Sequence, residues 1–111
     1  MSAKTVQLDQ DNFQSEILEH QGTALVDFWA DWCGPCHALA PTIDALAAET
    51  DGHSKVGKVD VEANPALAET YGVRSIPTLI FFRDGVEVDR LVGVASKSAI
   101  QQQLEELSTT P

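Results

Sequence analysis

The run Ala24-Leu25-Val26-Asp27-Phe28-Trp29 is apolar at every position but one, and after Ala30-Asp31-Trp32 it meets Cys33-Gly34-Pro35-Cys36. Its length and its β-branched and aromatic content are those of a strand covered on both faces, so structure must lie above and below it. Pro35 suits the first turn of a helix, where the missing N–H would have no partner anyway. Leu39, Ile43, Leu46 and Ala47 then recur at helical spacing, and the helix should stop near Asp51-Gly52. Pro41 inside that helix removes the bond to the His37 carbonyl, which predicts a kink. A buried strand running straight into a helix implies a layered α/β architecture, with both cysteines at the helix mouth.

The other elements fit that frame. Thr5 to Leu8 reads as a short strand, followed by a helix capped by Asp9 or Asp11, with Phe13 and Ile17 on one face and Gly22 at its end. Lys55 to Val61 is the next strand, and Asn64, Pro65 and Gly72 supply a cap, a first-turn proline and a terminating glycine around Leu67 and Tyr71. Thr78 to Arg83 and Val86 to Val92 are strands joined by Asp84-Gly85, a pair suited to the positive φ angles of a type I′ hairpin. Ser96 can cap a last helix with an Ile100, Leu104 and Leu107 stripe. The order β-α-β-α-β-α-β-β-α predicts a largely parallel sheet that becomes mixed through the terminal hairpin, with helices on both faces. Sites on such sheets sit beyond the carboxyl ends of strands, where Cys33 falls.

At 111 residues and 43% hydrophobic content the chain suits one domain, residues 1–111, with a single packed core. Seventeen acidic against seven basic residues give a net charge of −10, which opposes phosphate backbones and anionic membranes. Nucleic acid and membrane are therefore not expected partners. No apolar run is long enough to span a bilayer, and Met1 to Gln10 lacks the order of a secretory signal, so a cytoplasmic location is expected.

A disulfide closing so short a loop stabilises a fold by only about 2 kcal/mol, so stability is a poor reason for this cysteine pair. Reactivity is a better one, because unpaired N–H groups and the positive end of the helix dipole lower a thiol's pKa. Cys33, at the mouth, is favoured as the nucleophile that attacks a partner's disulfide, and Cys36 as the more buried thiol that resolves the mixed disulfide. Asp27, a carboxylate in a doubly covered strand, has the raised proton affinity needed to take the Cys36 proton. Lys58, flanked by Gly57 and Val59 on the next strand, can offset its charge. Zinc held by the cysteines with His37 and either His20 or His53 is the chemical rival, but no second pair follows at zinc-site spacing, and no metal is expected. Two inert core thiols would leave the Gly34-Pro35 insert without a purpose.

Val26-Asp27-Phe28-Trp29-Ala30, Trp32-Cys33-Gly34-Pro35-Cys36 and Ile76-Pro77-Thr78, in this order and spacing, resemble the thioredoxin family over nearly the whole chain. Lys58, Pro41, Asp84-Gly85 and Val92-Gly93 add to the match. The resemblance implies the thioredoxin fold and a protein-disulfide reductase whose Cys33/Cys36 couple needs no bound cofactor. It also implies a monomer that reduces disulfide-containing proteins and is recharged from NADPH through a flavoprotein thioredoxin reductase. It implies a cis Ile76-Pro77 bond, with Pro77 facing the cysteines and the Ser75-Ile76 backbone open to an extended substrate segment. A flat docking surface would then comprise Trp32, Gly34, Pro35, Ile76, Val92 and Gly93.

His37 departs from the family, which usually has Lys or Arg there, so a fixed charge becomes one that titrates near neutrality and could tune the cysteines. Ser75 and Val94 replace smaller residues. An oxidase or isomerase of the same fold, and a binding or assembly subunit that uses the same surface without turnover, are the competing functions.

Overall fold

The computed structural model describes residues 4–109. Five strands, β1 (Val6–Leu8), β2 (Thr23–Trp29), β3 (Ser54–Asp60), β4 (Thr78–Arg83) and β5 (Val86–Val92), form one sheet in the order β1-β3-β2-β4-β5. β3 pairs parallel with both β1 and β2, while β4 pairs antiparallel with both β2 and β5. Antiparallel pairing thus reaches the central strand, and the sheet is evenly mixed rather than largely parallel. β2 is buried along its length from Thr23 to Phe28, as its apolar composition requires.

The sheet separates two cores. On one face Leu25, Val56, Leu79 and Phe81 meet Leu39, Ile43 and Leu46 of α1 (Gly34–Glu49) and Ile100 and Leu104 of α3 (Lys97–Thr109). On the other, Ala24, Val26, Phe28, Ile80 and Phe82 meet Phe13 and Ile17, with Leu67 of α2 (Pro65–Thr70) and Tyr71 packed against them. Alternation along β2 assigns Leu25, Asp27 and Trp29 to the α1 face. Ser96 caps α3 as expected, its Oγ accepting the Ala99 N–H at 3.1 Å.

Three local expectations change. The helix expected after β1 is a single π-helical turn over Gln14–Leu18, closed by the Glu19 N–H donating to the Gln14 carbonyl at 2.9 Å. Asp9 holds the preceding turn, its Oδ1 accepting from the Asp11 and Asn12 N–H groups, and Asp11 caps nothing there. Asn64 precedes α2 without capping it: its amide oxygen accepts the Gln10 N–H and its amide nitrogen donates to the Asp60 carbonyl, tying the loop after β1 to the end of β3. α1 runs through Pro41 and ends at Glu49, close to the expected stop near Asp51-Gly52, where Thr50 turns its hydroxyl back to the Leu46 carbonyl.

The β4–β5 hairpin has the expected turn, with φ of 50° at Asp84 and 82° at Gly85. Asp84 Oδ1 accepts the Gly22 N–H, and the Asp84 N–H donates to the Gly22 carbonyl. A Cβ on Gly85 would lie 2.1 Å from the Leu18 carbonyl oxygen, so only glycine lets the hairpin close over the π-turn. Near Phe81 and Phe82 the β4–β5 register shifts, leaving a bulge in the outermost strand.

Candidate active site

Cys33 leaves the end of β2 in an extended conformation, with φ −90° and ψ 107°, and is the N-cap of α1. Its Sγ accepts the Cys36 N–H at 3.2 Å, taking the place a serine or aspartate oxygen holds in other helices. Pro35 fills the intervening position, where no N–H is missed. The two sulfurs are joined, with Cα atoms 5.2 Å apart, within the span a disulfide requires. Cys33 is 4% and Cys36 2% exposed, so the predicted contrast in burial is slight in the oxidised state. Their surroundings separate them better: Cys33 Sγ lies 3.9 Å from the Ile76 carbonyl oxygen.

The Ile76-Pro77 bond is cis, and Pro77 is buried. The Pro77 carbonyl accepts the Gly93 N–H at 2.8 Å, which draws the end of β5 to the site. The Ser75 carbonyl accepts the Thr78 hydroxyl and fixes the turn. Around this centre Trp32 is 68% and Val92 64% exposed, Gly34 and Pro35 are exposed, and Ile76 is half-buried against the disulfide. All the residues expected in the docking surface are thus brought together. A groove of about 510 Å³ extends it between Trp32 and Ile76 toward α2, lined also by Val61, Ala68, Val73 and Arg74. Those four were not singled out from the sequence, since three of them lie on connections outside any helix or strand and only Ala68 is on α2.

Asp27 is 3% exposed, and its Oδ1 has no hydrogen-bond partner. Burial pushes its carboxyl up to about 7; the nearby Lys58 ammonium opposes that rise and the Asp44 carboxylate adds to it. Lys58 is directly beside Asp27 in the parallel β2–β3 register, but its ammonium sits 4.8 Å from the centroid of the Trp29 ring. The attraction between the two charges acts through space, while the cation rests on an aromatic face. Asp44 was missed in the sequence, although an acid between Ile43 and Leu46 on the edge of an apolar helical stripe is a visible anomaly.

His37 is more than half exposed, and its Nε2 lies 2.5 Å from the Asp31 carbonyl oxygen and 3.9 Å from Asp31 Oδ1. Its ring meets Trp29 edge-on at 6.2 Å. The side chain is therefore engaged by the loop before the cysteines. His20 Nε2 contacts the Thr23 carbonyl and His53 precedes β3, both at the opposite end of β2 from the sulfurs, which breaks up the zinc ligand set considered above. Among the described residues no group of three or more His, Cys, Asp or Glu side chains is placed to hold a metal ion.

A helix-capping cysteine bonded to a second cysteine one turn on, facing a cis-proline turn and a flat apolar rim, defines a dithiol-disulfide oxidoreductase. The thioredoxin family model matches residues 4–106. The chain is 45% identical over 106 residues to "Thioredoxin 2" of Chlorobaculum tepidum, covering 96% of this chain and 97% of that one. It is 46% identical over 105 residues to "Thioredoxin 1" of a Nostoc species, covering 95% and 97%. A solved single-substitution mutant of a thioredoxin from Halobacterium salinarum superposes with a TM-score of 0.87 at 36% identity, over 100% of this chain and 97% of that chain. The chain belongs to the thioredoxin family, with the thioredoxin fold and the activity of a protein-disulfide reductase.

Proposed function

We propose that the chain, as one domain over residues 1–111, works as a monomeric cytoplasmic reductase of protein disulfides through defined residue roles. The Cys33 thiolate attacks one sulfur of a partner's disulfide; a Cys33–partner bond forms, and the other partner sulfur leaves as a thiolate. Asp27 then takes the proton of Cys36, whose sulfur attacks Cys33 Sγ. The Cys33–partner bond breaks and the second partner sulfur departs, taking its proton from water. Two electrons have passed to the partner, and the Cys33–Cys36 disulfide remains. An NADPH-dependent flavoprotein thioredoxin reductase returns the electrons. Lys58 balances the Asp27 charge, and His37 tunes the cysteines.

The cap geometry carries this reading. Cys33 Sγ already accepts an N–H at the positive end of α1, an arrangement that favours a negative sulfur at that atom. Trp32, Gly34, Pro35, Val92 and Gly93 form the surface for the partner, and Pro77 shapes the turn beside it. The Ile76 N–H has no backbone partner among the described residues and is free to pair with an extended segment. The net charge of −10 disfavours nucleic acid and anionic membranes as partners, and among the described residues no helix is long and apolar enough to cross a membrane.

The test is catalysis of protein-disulfide reduction by dithiothreitol. Cys33→Ser abolishes it, whereas Cys36→Ser still attacks but accumulates mixed disulfides. Full activity of Cys33→Ser, or no trapped species at a normal attack rate with Cys36→Ser, would remove the assigned roles. An equilibrium potential well above that of cytosolic glutathione would replace reductase by oxidase.

A further inference from the structure

A proton delivered to Asp27 arrives at an enclosed carboxylate, so the charges around that carboxylate decide at which pH it can be accepted. Register places Gln7, Lys58 and Asp27 side by side across β1, β3 and β2, all on the face covered by α1. From α1 the charged group on this face is Asp44, which is half-buried. Its Oδ1 accepts the hydroxyl of Thr5 at 2.7 Å, and Thr5, 6% exposed, precedes β1. The bond ties the Asp44 carboxylate of the helix to the residue that leads into β1, the strand paired with the Lys58 strand β3. Lys58 leans on Trp29 and, among the described residues, forms no ion pair. Among the described residues, β4 offers Leu79 opposite Asp27, and α3 offers Ile100 and Leu104 on this face. Asp60, further along β3, is turned to the Glu62 and Ala63 N–H groups. One buried carboxylate with a bare oxygen is thus acted on by one cation and one further carboxylate.

We propose that Asp44, held in place by Thr5, is a positioning residue for disulfide exchange: its negative charge counters Lys58 and keeps Asp27 able to hold the Cys36 proton at neutral pH. This rests on Asp27 being the acceptor. Without Asp44 the balance tips toward Lys58, and Asp27 stays ionised to lower pH. The step itself is unchanged: the proton moves from Cys36 to Asp27 as the Cys36–Cys33 bond forms and the Cys33–partner bond breaks.

The experiment follows the Asp27 carboxyl carbon by NMR through a pH titration of the full-length oxidised protein, with resolution of the mixed disulfide timed over the same range. In Asp44→Asn the Asp27 midpoint falls by roughly half a pH unit, the order expected of one carboxylate acting through partly hydrated protein. Thr5→Val keeps Asp44 but frees it, and lowers the midpoint by less. Lys58→Met raises it. In each variant the inflection in the resolution rate moves with the midpoint. An unmoved midpoint in both Asp44→Asn and Thr5→Val overturns the proposal and leaves Asp44 a structural residue. Asp27→Asn separates the two ideas: if it leaves resolution at the wild-type rate, the acceptor role itself fails, whatever Asp44 does to the midpoint.

Discussion

Replacing Asp27 by Asn should make the oxidised protein more stable, and by an amount that depends on pH. The folded carboxyl titrates near 7, against an ordinary value of 3.8, because burial disfavours its charge. At pH 3 the acid is protonated in both folded and unfolded chains, so the neutral, similarly shaped amide changes little. Between about pH 4 and 7 the unfolded chain releases this proton and the folded one keeps it, so wild-type stability falls by up to ~1.4 kcal/mol per pH unit. Above pH 7 both states are ionised and the loss levels off. The full difference is of order 4 kcal/mol, from the separation between the two titration points. Part of it is offset in the variant, because Lys58 loses the charge it faces. Urea unfolding of both proteins at pH 4, 5.5, 7 and 8.5, with equal m-values required, reads this directly. The acidic surface contributes its own pH dependence but cancels in the difference. A stability difference that is flat with pH, or that favours the wild type at pH 8.5, would refute buried-charge strain at Asp27.

Other perturbations separate packing from chemistry. Gly85→Ala combines a clash with the Leu18 carbonyl and a φ of 82°, and should cost about 2–4 kcal/mol in denaturant unfolding; a loss below ~0.5 kcal/mol would mean the hairpin is not tied to the π-turn. Trp32→Ala should leave stability within ~0.5 kcal/mol, because the ring is largely exposed, yet raise the KM for protein disulfides while sparing small disulfides. Equal effects on both substrate classes would remove it from the docking surface. His37→Lys should change the pH dependence of Cys33 attack between about pH 6 and 8, and identical profiles would return His37 to a solvated helix residue.

The layered sheet was legible because Ala24 to Trp29 has no polar face and the Gly34-Pro35 insert marks a helix start. The roles of Phe13 and Ile17 in the second core were legible for the same reason, since residues four apart share a face whether the turn closes one residue earlier or later. That indifference hid the π-turn, and the rings of Tyr71 and Phe82 that contact Phe13 come from remote parts of the chain. Asn64 shows the limit of local rules. A cap residue before a first-turn proline reads as a cap, yet a buried amide that can satisfy both Gln10 and Asp60 does so instead. At the candidate site, the cysteines, Asp27 and Lys58 stand out in the sequence because each is chemically out of place in its element. Val73 and Arg74 carry no such mark, since their place in the groove depends on how the loop after α2 packs toward the cysteine loop, and Asp44 is marked only as an acid at the edge of an apolar helical stripe.

Cys33 Sγ has a second use that follows from its position as the N-cap of α1. An atom that changes its bonding in every turnover is also one the helix needs in order to begin, so oxidation and reduction exchange one acceptor for another without leaving the first turn undone. Electron density gained at that sulfur strengthens the bond from the Cys36 N–H, and the scaffold is firmest where the reagent is most reactive. The same fact governs the choice of inactive variant. Serine keeps an acceptor at the helix start and removes only the chemistry, whereas alanine removes both and adds a structural loss of about 0.5–2 kcal/mol.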